Sequence, residues 1–364
     1  MNVGGPAVEI ATLMRGLDPG DFQQHLFVGT CGPDEEDFLA TQAPDIPHDR
    51  IPGLGRSVRP LDDLRALKAT MRHIRAANPD VIHTHTAKAG AIGRVAAILT
   101  RSKARRVHTF HGHVLHGYFS AWQSALIRWW ETLLASRTDV LITVGQTVRD
   151  QLLQQGIGTI KKFRVISPGI AMKDIPSREQ ARQQLGLDQN VPIISYVGRI
   201  TGIKRPDRML DVVDCLSTDF PTLQVLVAGG GDLEASIRAD AAVRGLPIHF
   251  LGWRTDIATI FAASDVTLLT SDNEGTPVSL IQSGLCGVPS VATDVGSVDY
   301  VVPHRVAGLV VAPTTDALCQ GVSTLLQDEA LRRTLGEGAR AHANREFSVE
   351  CFLTRHVDVY QAWP

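Results

Sequence analysis

No run of about 18 uncharged apolar residues occurs in the 364-residue sequence, so no segment reads as a membrane-spanning helix. No signal peptide is visible either. The cysteines are few, Cys31, Cys215, Cys286, Cys319 and Cys351, and none falls in CxxC spacing, a pattern that fits a reducing cytoplasm. Aromatic residues make up only 5% of the chain while glycine and proline are well represented, the balance of an α/β protein rich in strand-to-helix turns. Internal repeats, low-complexity tracts and long charge runs are all missing, which sets aside solenoids and biased tails.

What is present suits two domains of ordinary size. Residues 1–175 hold 21 Lys+Arg against 16 Asp+Glu, and the remainder 15 against 22. A basic amino-terminal half is compatible with an anionic membrane surface or an anionic acceptor. Short β-branched runs recur at residues 25–30, 80–86, 105–112, 139–145 and 163–169, with helical stretches between them. After Pro168 a second series follows at 192–200, 223–231, 248–253, 266–272 and 289–296. Two doubly wound parallel sheets in tandem are expected, with the site between them at the carboxyl ends of the strands.

Residues Cys31 to Pro60 lack periodicity and are expected to form a long loop, and the tail from Val349 to Trp363 to be helical. The opening, Met1 to Pro6, reads as a turn that should follow a strand, with a helix starting near Ala7. No strand precedes it in the sequence. The expectation is a misplaced start or a truncated chain.

The stretch from Ser271 to Tyr300 holds the pattern of a diphosphate site. Thr276 is the expected N-cap and Pro277 the first helical residue, with Gly287 and Pro289 marking the far end. Free amides at that start offer partial positive charge to an anion, and Glu274 just upstream can accept from sugar hydroxyls. Equally, Glu274 is a surface acid before an ordinary helix. Arg199 and Lys204 lie five residues apart after a strand, where two cations can neutralise a diphosphate leaving group. Taken alone they are also two solvated cations. Trp253 and Arg254 follow another strand and either wall a base pocket or, for the Trp, close a hydrophobic corner. The glycines of Ala228 to Asp232 permit close approach to a ligand or make a tight turn, and lack dinucleotide-fingerprint spacing.

In the first half, His111, His113 and His116 share one strand-end loop. Without a nearby carboxylate or cysteine to complete a zinc site, the expectation is that His111 bonds to sugar hydroxyls. Lys88 opens a helix and either meets an acceptor phosphate or is solvated. Residues 118–135 carry Trp122, Arg128, Trp129 and Trp130 on one helix, close in sequence to the basic run 101–106. These aromatics suit a lipid interface or a domain core.

Together the stretches NVGGPA, HTHTAKAG, HTFHGHVLHGYFS, VGRITGIKRPD, FLGWRTDI and NEGTPVSLI, in that order, resemble the retaining GT-B glycosyltransferases of glycosyltransferase family 4 from Asn2 to about Tyr360. The resemblance implies two Rossmann-like domains facing across a cleft, an acceptor-side domain at 1–168 and a nucleotide-sugar domain at 169–346, with a helix at 347–364 crossing back. It implies that Arg199 and Lys204 hold the diphosphate, Trp253 and Arg254 line the base pocket, and Glu274 contacts the donor sugar. Backbone around Thr276, Pro277 and Val278 would assist, Gly4 and Gly5 would lie near donor phosphate and acceptor, and His111 would stand beside the sugar. Lys88 and His113 fall on the acceptor side. No metal or other cofactor is implied, and no paired-aspartate motif stands at a suitable position. Two departures are visible: Gln282 occupies the position of a second glutamate that accepts from the ribose, and the first strand of the amino-terminal domain is missing.

The expected protein is a cytoplasmic, peripherally membrane-associated enzyme of bacterial surface polysaccharide synthesis. It would move a hexose-type sugar from a UDP-sugar, or else a GDP-sugar, to a lipid-linked saccharide or other glycan. No nucleic-acid partner is expected. A UDP-sugar epimerase of the same fold and a degenerate nucleotide-binding or partner-binding protein are the alternatives.

Overall fold

The computed structural model describes residues 1–2, 5–32, 37–55, 57–111 and 121–362, with side chains for all of these but 121–124. The chain forms two compact units: Met1–Gly169 with Val349–Pro364, and Ile170–Ser348.

The first unit contains α1 (Gly5–Gly16), β1 (Leu26–Val28), α2 (Phe38–Thr41), β2 (His48–Arg50), α3 (Pro60–Ala77), β3 (Val81–His85), α4 (Ala87–Leu99), β4 (Arg105–Phe110), α5 (Ala121–Ser136), β5 (Val140–Thr143) and α6 (Gln146–Gln154). β6 (Phe163–Val165) completes its strands. β3, β4, β5 and β6 pair in that order, all parallel, while β1 and β2 form a separate parallel pair. The sheet is thus in two parts. α1 packs on both, Ala7 and Ala11 clustering with Val28 of β1, and Leu13, with Leu17 just past the helix end, clustering with Val107 of β4. On the region expected to be a long loop the structure differs: α2 and β2 lie within it. β2 has the sequence HDR and is largely exposed, so no apolar alternation announced it.

The second unit contains α7 (Arg178–Gln184), β7 (Ile193–Val197), α8 (Pro206–Ser217), β8 (Gln224–Ala228), α9 (Glu234–Val243), β9 (Ile248–Gly252), α10 (Ile257–Ala263), β10 (Val266–Leu269), α11 (Val278–Leu285), β11 (Ser290–Thr293), α12 (Val298–Val301) and β12 (Gly308–Val311). α13 (Thr315–Gln327) and α14 (Glu329–Phe347) close it, and α15 (Val349–Gln361) packs in the first unit through Phe352 and Val359. The sheet order is β12-β11-β10-β7-β8-β9, entirely parallel. Helices cover both faces, so β7, β10 and β11 are buried almost throughout, β7 and β10 as mostly apolar runs. β12, at an edge, was not expected from the sequence.

Strand order reverses between β7 and β10, which are neighbours in the sheet although α8 to α10 separate them in sequence. Diverging connections leave a crevice beyond the carboxyl ends of such a strand pair. A buried ionic group sets the register of the pair. Asp265 accepts from the fully buried Arg182 and from the backbone N–H of Ile193, 2.9 and 2.8 Å away.

Cys215 of α8 and Cys319 of α13 are joined by a disulfide across 104 residues. Cysteine spacing alone did not indicate this bond, since pairing of distant cysteines is decided by how helices pack.

Candidate active site

The segments after β7 and β10 meet at the reversal point. After Val197 the chain turns through Gly198 and Arg199 into a short 3-10 turn, Gly202–Lys204, and enters α8 at Pro206, the helical position where a missing N–H is harmless. Thr270, at the end of β10, donates its hydroxyl to the carbonyls of Lys204 and Arg205 at 2.8 and 2.9 Å. Asp272 N–H donates to Ile203 O at 3.0 Å, and Tyr196 O–H donates to Lys204 O at 3.0 Å. Arg208 spans both segments, donating to Thr270 O and Asp272. Burial opposes ionisation of Asp272, but Arg208 and Arg205 win and hold its carboxyl below the ordinary value. The two turns are one rigid piece.

That frame brings two of the expected residues together. Lys204 Nζ donates to Glu274 Oε1 at 2.5 Å, and Ser271 Oγ donates to the same oxygen at 2.6 Å. Glu274 is only 8% exposed, so it is neither a loose surface acid nor fully enclosed. Its backbone is pinned from the other side by Gly296, whose φ is +60° and where a Cβ would lie 1.8 Å from Glu274 O. No side chain fits there. Arg199 is exposed and has no ion-pair partner among the described residues.

The glycine run turns out to serve neighbouring backbone. A Cβ at Gly229 would lie 2.0 Å from Gly198 O, and one at Gly231 would lie 2.3 Å from Ile200 O. The run therefore locks the strand-end segments of β7 and β8 together. Trp253 is 75% exposed, which removes the closed-corner explanation, and its indole Nε1 would stand 2.7 Å from a Cβ at Gly230. Arg254 is held by Asp256 through two bonds of 2.7 and 2.5 Å. One expectation is corrected at α11: Pro277, with ψ +97°, is the N-cap and Val278 the first helical residue, so the start lies one residue later than Thr276 capping implied. Proline's extended ψ here keeps it outside the helix. Gln282 is half-buried on α11.

The first unit places its candidates on different ground. Gly5 begins α1, and Lys88 lies in the first turn of α4 with its amine on Ser57 O and Asp63. Gly4 and His113 lie outside the described residues. His111 follows β4, and both ring nitrogens face protein groups: Nε2 is 3.0 Å from His85 Nδ1 and Nδ1 is 3.5 Å from Glu9 Oε2. It belongs to a row with His85, His83 and His356, the rings of His83 and His85 being 4.1 Å apart. Burial drives His83 and His85 well below the ordinary histidine pKa. Sequence reading missed Glu9, His85 and Ser271. The alternation in HTHT was the available signal, since β3 pairs in register with β4 and stacks alternate side chains beside those of HTFH.

Residues 3–173 match the family Glycosyltransferase Family 4, and residues 177–342 match Glycosyl transferases group 1. The chain belongs to the family 4 glycosyltransferases. Among curated relatives of the enzyme is the UDP-Gal:alpha-D-GlcNAc-diphosphoundecaprenol alpha-1,3-galactosyltransferase of Escherichia coli, 25% identical over 72% of this chain and 70% of that one. Another is the D-inositol 3-phosphate glycosyltransferase of Salinispora arenicola, 26% identical over 99% and 87%. Among solved structures, HepE of Anabaena in complex with UDP superposes with a TM-score of 0.80 at 21% identity, covering 99% of this glycosyltransferase and 97% of that chain. The last likeness shows the fold, GT-B.

Proposed function

We propose that this glycosyltransferase is a retaining enzyme that moves a hexose-type sugar from a UDP-sugar to a lipid-linked saccharide or other glycan in bacterial surface polysaccharide synthesis. The observation that carries the donor side is the Lys204–Glu274 pair at the strand-order reversal, a cation and an acceptor fixed side by side where such sheets bind ligands. On binding, Lys204 and Arg199 take the diphosphate, with α11 amides from Val278 assisting. Glu274 turns to the sugar hydroxyls, and exposed Trp253 stands beside the base with Arg254 at its edge. Gln282 accepts from the ribose. His111 and Gly5 belong to the sugar side of the first unit, and Lys88 to the acceptor.

In the transfer itself the acceptor oxygen bonds to the anomeric carbon on the face from which the diphosphate leaves. The carbon–oxygen bond to phosphate breaks, and the acceptor's hydroxyl proton passes to the departing phosphate oxygen. The side chains neutralise the charge that develops there, with no metal needed for that step. The E. coli relative, by its name, uses UDP-Gal and a diphosphoundecaprenol-linked acceptor, and the Anabaena neighbour was solved with UDP. The first supports this choice of donor and acceptor, and the second the choice of UDP. No helix among the described residues is long and apolar enough to cross a membrane. Contact with an anionic membrane is therefore peripheral in this reading, supported by the exposed Trp129 of α5 and exposed Arg101 and Lys103.

Calorimetric titration with UDP, GDP and ADP in turn tests the donor assignment. Saturable binding of UDP alone is the expected result. Preference for GDP or ADP would replace the base, and no binding by a folded sample would leave a degenerate family member.

A further inference from the structure

A cavity of about 380 Å³ opens in the first unit between α3, α4 and α5. Its wall is made by Val58, Leu64, Leu67, Ile92, Val95 and Trp130. Two charged side chains complete the lining, Asp63 and Lys88, with Lys88 Nζ 2.5 Å from Asp63 Oδ1. Lys88 lies in the first turn of α4, whose N-cap Thr86 supplies no side-chain bond to the free amides. One end of a mostly apolar cavity therefore carries an ion pair, Lys88 with Asp63, at a helix start, where an incoming anion would have to displace the carboxylate.

The apolar surface continues past the cavity. Leu126, Trp129 and Leu133 are 56%, 60% and 39% exposed and fall at helical spacing with Trp130 along one stripe of α5. The opposite side of α5 is firmly anchored: Glu131 accepts two bonds from the buried Arg94 of α4, and Leu134 and Ala135 are buried. Among the described residues the outward stripe is thus the uncovered side of a fixed helix. Val58 of the wall is 81% exposed, and Leu61, at the start of α3, is 75% exposed. An apolar strip holding two Trp that no described residue covers is unusual on a surface.

We propose that this cavity seats the first isoprene units of a polyprenyl phosphate or diphosphate, with the phosphate at Lys88 and the following chain along the α5 stripe. A volume in the lower part of the range for small-ligand sites, an apolar wall and one cation at the mouth, which a phosphate would take over from Asp63, match a branched hydrocarbon with an anionic head. A sugar or a nucleotide would leave its polar groups unpaired against Leu64, Leu67 and Val95. Asp63 competes with the phosphate for Lys88. The proposal rests on the lipid-linked acceptor of the preceding section and names the part of this chain that reads the lipid.

Geranyl phosphate, farnesyl phosphate and inorganic phosphate, each below its micelle concentration, are titrated into the full chain, with binding read by tryptophan fluorescence and calorimetry. Expected is saturable binding of both prenyl phosphates, at least tenfold tighter for farnesyl, and none for inorganic phosphate. Leu64→Gln and Trp130→Gln alter partly exposed side chains, so the fold survives, which circular dichroism checks. Each is expected to weaken farnesyl phosphate at least tenfold and to flatten the chain-length preference. Lys88→Ala should weaken both prenyl phosphates by one common factor, and Asp63→Asn should tighten both. Equal affinity for the two chain lengths, wild-type binding in Leu64→Gln and Trp130→Gln, or binding of anionic vesicles alone would each overturn the assignment. Binding of UDP without farnesyl phosphate refutes the cavity and spares the donor reading; the reverse outcome does the opposite.

Discussion

Glu274→Gln separates what the donor-free site does from what the reaction needs. Lys204 is neutralised by a carboxylate that is 8% exposed, and Ser271 donates to the same oxygen, so a diphosphate must compete with a good partner for the lysine. A hydrogen bond to a charged group contributes about 1.5–3 kcal/mol. Glutamine keeps an oxygen for Lys204 and loses the charge, so about half of that is released on substitution. The same change removes repulsion between the carboxylate and incoming phosphates. UDP, which has no sugar for Glu274 to hold, should therefore bind about tenfold more tightly, since each 1.4 kcal/mol is a factor of ten.

Transfer should move the other way. A lost contact that strengthens in the transition state typically costs a factor of about 100 or more in turnover. Calorimetry with UDP and a steady-state transfer assay on the same preparation read the two effects. Weaker UDP binding in Glu274→Gln would mean that the ion pair pre-organises Lys204 for phosphate and does not compete with it. Unchanged turnover would remove Glu274 from the reaction altogether.

Gly296→Ala should lower turnover at least tenfold, because its Cβ would sit 1.8 Å from Glu274 O and displace the glutamate turn; turnover at the wild-type level would show that the turn has slack. Gln282→Glu should strengthen UDP binding several-fold by replacing a neutral acceptor with a charged one, and a weakening would take position 282 away from the ribose. Reduction of Cys215–Cys319, or Cys215→Ser, should lower stability by about 2–4 kcal/mol, seen as a lower denaturation midpoint with reductant than without. Acid should unfold the first unit early. His83, His85 and His108 are held neutral by burial, and burial brings His356 down to about 4. Above pH 6.5 they are neutral in both states. Below it the unfolded chain takes up protons the folded chain refuses, so stability falls by about 1.4 kcal/mol per pH unit for each histidine until its folded pKa is reached. Urea denaturation at pH 7.5, 6.0 and 5.0 reads the slope, and a flat profile would mean that these rings protonate without unfolding.

Much of the second unit was legible because its buried parallel strands are short apolar runs ending in polar residues, as in IISYVGR and VTLLTSD. The pattern marks where each strand ends. It does not say which strands are neighbours. Lys204 and Glu274 stand 70 residues apart and meet only because the sheet reverses between β7 and β10, a property of packing across the whole unit. The same limit hid the partners of each candidate. Nothing local marks Ser271 as a partner of Glu274, or Glu9 as a neighbour of His111; the folded chain brings each pair together. β2 escaped because its sequence, HDR, carries no apolar alternation, β12 because GLVV is only four residues long, and the Cys215–Cys319 bond because α8 and α13 come together only in the fold. The glycines were left open between ligand approach and a tight turn for a related reason. Conformational freedom can be inferred from composition, yet Gly229 and Gly231 are required by carbonyls of Gly198 and Ile200 that no local pattern places against them. Residue types in this sequence therefore point to the chemistry, while the partners that tune it come from strand order and helix packing.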